Sequence, residues 1–390
     1  MSLPGSAHAH GDAVMSATLR SVPEDFIVDE IEAFAPSSDG EHLLLEVEKR
    51  AMTTQHAAQR LADWAGVPVS AVGYAGMKDR HALTRQRYSV HLPKRQAPPL
   101  DTLESAAAGL NPEQRLRVLS QAWHARKLPR GAHAGNRFRL LLRDVHGDAA
   151  SIERRLQEIA TNGVPNFFGG QRFGHGAGNV DKALAMFRHA NPSQESAHPG
   201  ADLQGRRRVR REERTHLLSA ARSALFNRVL AARLQDGSWN RGLEGEVWVL
   251  DGSRSVFGPE PWSELLAARL AAFDIHPSAP LWGRGELRTS GTARVLEEAT
   301  LGDVESLALR QGIEQAGMRQ ERRATRLQPR ELAWAWQGGD VLELGFVLPP
   351  GGYATTVLAE IGDLRDAGAA KYYRSSDQAV LDWNAASSSV

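Results

Sequence analysis

The sequence is 390 residues long, which exceeds what one small hydrophobic core needs and predicts two or three globular units. Hydrophobic residues make up 42% and charged residues 24%, so a mainly disordered chain is excluded. Cysteine is absent, which excludes disulfides, thiolate zinc sites, iron–sulfur clusters and cysteine nucleophiles. No apolar run approaches the roughly 20 residues that cross a bilayer. Residues 1–17 also lack the apolar core of a signal peptide, so we expect a cytoplasmic protein.

The net charge of +1 predicts no polyanionic partner by itself, but only six of the 47 lysine and arginine residues are lysine. The arginine excess fits a compositional bias, and it also fits a preference for the planar side chain that suits phosphates and stacks on bases. The positions of the cations are more informative. His124, Lys127 and Arg130 come just before a strand that carries further arginines. Such a cluster is typical of a nucleic-acid surface.

After a flexible start, the first part of the chain alternates strands with two helices. Apolar and alternating runs predict strands at residues 26–31, 42–47, 87–92, 116–119 and 137–143. Thr53 or Thr54 is expected to begin a helix that ends at Gly66. A second, amphipathic helix is predicted over residues 151–161. The last of the strands sends Phe138 to an apolar face and several arginines to the opposite, cationic face.

The character of the chain changes at Gly163. Helical spacing predicts helices near residues 213–234, 263–273 and 303–316. A hairpin and a final helix are then predicted over residues 331–336, 341–346 and 355–361. The tail from Ala367 is expected to be loosely held. A sheet pattern interrupted by a helical stretch indicates one domain inserted into another.

Several common catalytic motifs are missing from the sequence. There is no P-loop, no H-E-x-x-H and no G-x-S-x-G, and residues 174–178 miss the spacing of a dinucleotide-binding loop. His8 and His10 are not expected to bind a metal. Asp79 remains, between Lys78 and Arg80 in a glycine-bounded loop. Two neighbouring cations favour an ionised carboxylate, which can act as nucleophile or base. The same three residues, taken alone, also fit an ordinary surface ion pair.

A longer pattern surrounds Asp79. Residues 73–86, GYAGMKDRHALTRQ, closely resemble the signature of the TruD family of tRNA pseudouridine synthases. Further stretches resemble other blocks of that family, in the same order along the chain: RSVPEDFIV at 20–28, RKLPRG at 126–131 with GNRF at 135–138, GVPNFFGGQRFG at 163–174, LSAARSALFN at 218–227 and FVLPPGGYATT at 346–356. Six ordered blocks are a specific match.

The resemblance implies an isomerase, an intramolecular transferase that converts uridine in tRNA to pseudouridine. The reaction is internal and redox-neutral, so neither a cofactor nor a metal is expected. The family's catalytic aspartate falls on Asp79. Its basic partner falls on Arg20, where lysine is more familiar, and an arginine can hold the carboxylate with two hydrogen bonds.

The resemblance also implies residues that contact RNA. The uracil-contacting positions fall on Asn136 and Phe138, and further aromatic lining is expected from Phe26 and Phe346. The strand pattern by itself also fits Phe138 as a plain core residue. Cationic contacts to RNA are expected from Lys78, Arg80, His124, Lys127 and Arg130, although His124, Lys127 and Arg130 also fit a solvated surface.

The implied fold is α+β. Residues 1–162 and 321–390 are expected to form a discontinuous catalytic domain with a mixed, largely antiparallel sheet and flanking helices. Residues 163–320 are expected to form the inserted, helix-rich TruD-type domain that closes one wall of an RNA cleft. The implied substrate is uridine 13 of tRNA, in particular tRNA-Glu, and the implied state is a monomer that does not bind membranes. Two alternatives stay open: the same chemistry on another RNA, and a non-catalytic RNA-binding or tRNA-folding protein.

Overall fold

A computed structural model of the chain describes residues 8–107, 113–174, 178–190 and 211–368. Its described residues form two compact units. The sheet unit comprises residues 13–156, 329–351 and 361–368. The helical unit comprises the described residues of 8–12, 157–328 and 352–360. The predicted tail lies outside the described residues from position 369 onward.

The predicted insertion at 163–320 lies within the range of the helical unit. That unit also contains stretches that the sequence pattern placed in the outer domain, namely residues 8–12, 157–162, 321–328 and 352–360. Residues 321–328 lie there because their strands pair with strands of the helical unit. The catalytic and inserted roles of the two units remain predictions.

The elements of the first part of the chain are seven strands and three helices. The strands are β1 Met15–Leu19, β2 Phe26–Glu32, β3 His42–Arg50, β4 Val72–Tyr74, β5 Leu83–His91, β6 Arg115–His124 and β7 His133–Gly147. The helices are α1 Thr54–Ala65, α2 Leu100–Ala107 and α3 Ala149–Asn162.

The following elements alternate short strands with longer helices. The strands are β8 Val164–Pro165, β9 Trp248–Leu250, β10 Val256–Phe257, β11 Ile275–His276, β12 Ser278–Leu281, β13 Glu321–Ala324 and β14 Arg326–Leu327. The helices are α4 Gly178–Ala190, α5 Arg211–Gln235, α6 Glu264–Ala271, α7 Gly291–Thr300, α8 Val304–Gln315 and α9 Ala354–Ala359. The sheet unit is completed by β15 Arg330–Trp336, β16 Leu342–Leu348 and β17 Gly362–Asp366.

The sheet unit is built on a ten-stranded sheet with the strand order β15-β16-β7-β2-β5-β3-β6. Strand β1 pairs with β7 and β17, and β4 pairs with β5. Strands β2 and β5 run parallel, as do β1 and β17, whereas the other pairs are antiparallel. This is the mixed, largely antiparallel α+β architecture that was predicted.

One face of β3 is packed against α1. Leu43, Leu45 and Val47 point inward at the two-residue spacing of a strand and share a core with Leu61 of the helix. The predicted ends of α1 are confirmed, because Thr53 Oγ1 accepts a hydrogen bond from the main-chain nitrogen of His56 and Gly66 ends the helix with a φ of +64°.

The start of the chain differs from the prediction. Residues Met15–Leu19 form β1, which pairs with β7 and in parallel with β17. In the helical unit, a ring nitrogen of His10 lies 2.9 Å from the main-chain oxygen of Gly163. The prediction of a flexible start is therefore wrong for His10 and for Met15–Leu19. Glycine and histidine content suggested flexibility, but distant partners hold this segment.

The helical unit is organised around α5. The helix predicted near residues 213–234 is confirmed as α5, and Leu217, Ala221, Leu225 and Val229 at helical spacing are buried in one apolar cluster. Helices α6 and α8 lie where helices were predicted, and the side chains of Ser263 and Asp303 cap them by accepting main-chain hydrogen bonds. Helices α4 and α7 and the two- to four-residue strands of this unit were not predicted from the sequence.

Candidate active site

The loop that carries Asp79 connects β4 to β5. Thr54, the first residue of α1, accepts a hydrogen bond from the main-chain nitrogen of Lys78 at 2.8 Å. Gln86 Nε2 on β5 donates to the main-chain oxygen of Gly76 at 3.1 Å. A Cβ on Gly76 would lie 3.0 Å from Lys78 Nζ, so glycine leaves room for that side chain. The loop is therefore held at several points by the helix and the sheet.

Asp79 is held at both carboxylate oxygens. Arg20 Nη1 donates to Oδ2 at 2.6 Å, and the main-chain nitrogen of His81 donates to Oδ1 at 2.9 Å. The Asp79 side chain is 19% exposed, whereas Arg20 is buried. The carboxylate is therefore fixed by one charged and one main-chain donor, and its remaining exposure leaves it accessible to solvent.

Arg20 divides its two terminal nitrogens between two carboxylates. Nη1 binds Asp79, and Nη2 lies 3.5 Å from Oδ2 of Asp366 on β17. The expectation of two hydrogen bonds from Arg20 to Asp79 is wrong, because the second nitrogen faces Asp366. Arg20 has a φ of +60°, an uncommon conformation for a residue with a Cβ, and its guanidinium carbon lies 4.5 Å from the ring centre of Phe26.

The three predicted phenylalanines form one cluster on the sheet. The rings of Phe26 and Phe138 meet edge to face at 6.2 Å, and those of Phe138 and Phe346 stack at 5.3 Å. Their strands are neighbours, with Phe346 opposite Phe138. All three side chains are buried, so the cluster serves as core packing as well as a candidate base-stacking surface.

Asn136 lies on the same face of β7 as Phe138, two residues away, and opposite Glu30 of β2. Its Oδ1 atom is buried and has no hydrogen-bond partner among the described residues. Arg20 Nε, in the same sheet unit, is also buried without a hydrogen-bond partner among the described residues. Unpaired buried polar atoms are rare in folded proteins and often mark sites where a polar ligand binds.

Lys78 does not act as a free cation beside Asp79. Its Nζ atom forms an ion pair with Glu30 at 2.5 Å, and both side chains are 4% exposed. A buried and paired ammonium group is unavailable to an RNA phosphate, so Lys78 is no longer assigned to RNA contact. Burial and the charge of Lys78 lower the pKa of the neighbouring His133 ring.

The lysine that contacts the main chain of Asp79 is Lys49, which the sequence analysis did not identify. Lys49 lies near the end of β3 and is fully buried. Its Nζ atom donates to the main-chain oxygens of Asp79 at 2.7 Å and of Met52 at 2.6 Å. The sequence could have indicated this residue, because the alternation of β3 places Lys49 at an inward-facing position after Val47. A lysine is seldom buried without a specific contact.

The other predicted RNA contacts differ in exposure. Arg80, Lys127 and Arg130 are exposed, and the guanidinium carbon of Arg130 lies 3.7 Å from the ring centre of Tyr74. Lys127 Nζ donates to the main-chain oxygen of Ser70. His124 is half-buried and stacked on Phe34, with its Nδ1 accepting from Ser37. Arg80, within the loop, and Arg130, beside Tyr74 at its start, both have exposed side chains.

The cationic face predicted for β7 is partly neutralised. Arg137 pairs with Glu331 at 2.6 Å, and Arg143 pairs with Asp25 at 2.8 Å. No group of three or more histidine, aspartate or glutamate residues suited to a metal occurs in the described ranges. The helices described here include none long and apolar enough to span a membrane.

The mixed, largely antiparallel sheet with its helices has the α+β fold that the resemblance to pseudouridine synthases implied. A family model described as tRNA pseudouridine synthase D (TruD) matches residues 7–183 and 195–361. The chain therefore belongs to the TruD family of tRNA pseudouridine synthases.

Proteins and a structure similar to the chain agree with this assignment. The chain is 56% identical over 360 residues to a tRNA pseudouridine synthase D of Xanthomonas axonopodis pv. citri (strain 306), covering 92% of the chain and 95% of that protein. It is 46% identical over 361 residues to a tRNA pseudouridine synthase D of Pseudomonas putida (strain W619), covering 92% and 95%. The crystal structure of a Methanosarcina mazei protein assigned to TruD has the same fold, with a TM-score of 0.64, 24% identity and coverage of 91% and 95%.

Proposed function

We propose that the chain isomerises uridine in tRNA to pseudouridine and that Asp79 acts at the reacting nucleotide. The bond between N1 and C1′ breaks, the uracil turns, and C5 bonds to C1′. One proton leaves C5 and one is gained at N1, so the composition of the RNA is unchanged. An internal rearrangement of this kind needs a positioned carboxylate and a place for the detached base.

The observation that carries the proposal is the pairing of Asp79 with Arg20. The arginine donates to one carboxylate oxygen, and the partial exposure of Asp79 leaves the carboxylate reachable by a substrate. In the proposed reaction Asp79 is the nucleophile or general base, and Arg20 orients it.

The reacting uridine has to leave the RNA stack to reach a carboxylate in the protein. The cluster of Phe26, Phe138 and Phe346 supports a role in receiving it, since stacking on an aromatic ring contributes about 1–3 kcal/mol per base. Because these rings are buried, the base contacts the outer edge of the cluster. The unpaired Oδ1 of Asn136 is suited to accept the N3–H of uracil.

Arg80 and Arg130 are proposed as contacts to phosphates near the target nucleotide, because both are exposed, Arg80 follows Asp79 in the chain and Arg130 lies against Met77 of the same loop. Lys127 and His124 are proposed as weaker contacts, since each already has a partner within the protein.

The test of Asp79 uses the variant D79N on purified full-length protein with a tRNA-Glu transcript. We expect no pseudouridine, because the amide cannot act as nucleophile or base, and RNA affinity is expected to be unchanged. Pseudouridine is measured by mass spectrometry of nuclease digests. The control is D63N, an exposed aspartate on α1 whose carboxylate accepts a bond from Gln59. Retained activity in D79N would refute the assignment.

The finer substrate proposal is uridine 13 of tRNA-Glu, which rests on the family resemblance. Pseudouridine mapping in total RNA, with and without the protein, tests it at nucleotide resolution. Modification of another RNA would support the same chemistry on a different substrate. Absence of pseudouridine in every RNA treated with the wild-type protein, together with an RNA-binding or tRNA-folding activity that persists in D79N, would favour the non-catalytic alternative.

We also propose that the protein works as a monomer in the cytoplasm. Light scattering coupled to size-exclusion chromatography tests the first part, and fractionation of cells that express the protein tests the second.

A further inference from the structure

Lys49 is a buried cation whose hydrogen-bond acceptors among the described residues are both main-chain oxygens. Its Nζ atom contacts the oxygens of Met52 and Asp79, and it forms no ion pair with any carboxylate in the described chain. A charged group without an ionic partner is expensive to bury, and an apolar side chain of similar length would fill the same space more favourably. A lysine at this position is therefore better explained by the main-chain oxygens that its ammonium group binds than by packing.

The group that Lys49 holds is the main chain of the candidate catalytic residue. Arg20 and the main-chain nitrogen of His81 bind the two carboxylate oxygens of Asp79, and Lys49 binds its main-chain oxygen. Rotation of this peptide unit would swing the attached side chain, so the third contact restricts the direction of the carboxylate. Displacements of about 1 Å at a reacting group can lower a rate by about a hundred-fold.

We infer that Lys49 is a positioning residue for the proposed isomerisation, whose ammonium group holds the main-chain oxygen of Asp79 and thereby directs the carboxylate at the substrate. The inference rests on the proposed function, because it requires Asp79 to act on the uridine. It adds a residue 30 positions away from Asp79 along the chain to the site.

The first test compares K49M and K49R with the wild-type protein under single-turnover conditions on the tRNA substrate. Methionine fills the space without charge or donors, and we expect the rate to fall by about a hundred-fold with RNA affinity unchanged. Arginine restores a charged donor, and we expect it to recover part of the lost rate. The matched control is K94M, which removes an exposed lysine and is expected to leave the rate unchanged.

The second test is the pH profile of the single-turnover rate. Burial lowers the pKa of Lys49 to about 7, while the facing carboxylate of Asp79 raises it and the nearby charge of Lys78 lowers it. The ammonium form therefore prevails below about pH 7 and is lost above it. We expect the wild-type rate to decline as the pH rises through this value. In K49R the guanidinium stays charged, so this decline is expected to disappear.

The outcomes separate positioning from structural support. A K49M rate equal to that of the wild type would overturn the inference. An alkaline decline in K49R that matches the wild-type decline would also overturn it, because a purely structural lysine would not change the profile when replaced. If K49M fails to fold, the K49R profile decides. Absence of pseudouridine in every wild-type reaction would instead contradict the proposed function.

Discussion

Arg20 contacts Asp79 through Nη1 and faces Asp366 through Nη2. A guanidinium group can serve two carboxylates in different directions because its donors are fixed in a plane, whereas a lysine ammonium is a single point charge. The Phe26 ring below and the left-handed backbone at Arg20 further fix its direction. Arginine at this position is therefore matched to the second carboxylate on β17.

Substitutions at Arg20 and Asp366 test which of these contacts the reaction needs. In R20M the Asp79 carboxylate loses its ion pair, and we expect the single-turnover rate of pseudouridine formation to fall by about a hundred-fold. R20K keeps one charge and is expected to recover part of the rate. D366N leaves the pair between Arg20 and Asp79 intact, so its rate is expected to stay near that of the wild type.

The matched control for R20M is R117M, which removes an exposed strand arginine paired with Glu48. A wild-type rate in R20M would show that Arg20 does not orient Asp79. A loss in D366N as deep as that in R20M would show that Asp366 is itself required.

At the scale of elements, α1 links the fold to the site. The helix packs on β3 through Leu61, and its first residue, Thr54, binds the main chain of the loop at Lys78. The preceding residue, Thr53, caps the helix. The start of this helix thus fixes both a packing face and one end of the loop that carries Asp79.

Removal of the cap tests the contribution of the helix start. In T53A the main-chain nitrogen of His56 loses its acceptor, and the free energy of unfolding is expected to fall by about 1 kcal/mol. Urea denaturation followed by circular dichroism measures the change. The control is T161A near the end of α3, an exposed threonine whose hydroxyl donates within its own helix. Equal stability of T53A and T161A would contradict the role of the cap.

A second element couples distant parts of the sheet unit. Strand β17 runs parallel to β1, with Leu19 opposite Asp366. This register places Asp366 next to the residue that follows β1, which is Arg20. The pairing therefore explains how a carboxylate beyond the family match, which ends at residue 361, reaches the site.

At the scale of the whole molecule, a buried ion pair in the helical unit contributes to its free energy of unfolding. Arg233 Nη2 lies 2.6 Å from Glu246 Oε2, and both side chains are buried. Arg233 also donates to the main-chain oxygens of Ser238 and Ser278. This arginine ties the end of α5 to two segments that follow it.

Breaking this pair is expected to destabilise the unit strongly. E246Q leaves the Arg233 charge buried without its carboxylate, and we expect the free energy of unfolding to fall by about 3–5 kcal/mol. Urea denaturation measures the loss, and hydrogen exchange with mass spectrometry assigns it to peptides of the helical unit.

The matched control is E298Q, which breaks the exposed pair between Arg294 and Glu298 on α7 in the same unit. Its unfolding midpoint is expected to stay unchanged, since exposed ion pairs are screened by solvent. An E246Q midpoint equal to that of E298Q would contradict the importance of the buried pair.

The sequence by itself determined the family, the loop around Asp79 and most of the longer elements. Helix α1 was predictable from its caps and α5 from its apolar spacing, because both signals lie within a few neighbouring residues. The strands around Phe26 and Phe138 were predictable from local alternation in the same way.

Only the tertiary structure decided which charges surround Asp79. Arg20 and Asp79 are 59 residues apart, and their contact depends on how β1 and the loop lie on the sheet. Chain neighbours suggested Lys78 as a partner, but packing directs Lys78 to Glu30 and brings Lys49 to Asp79. The physical reason is that a side chain's charge partner is set by the element packed against it, and local periodicity carries no information about that element.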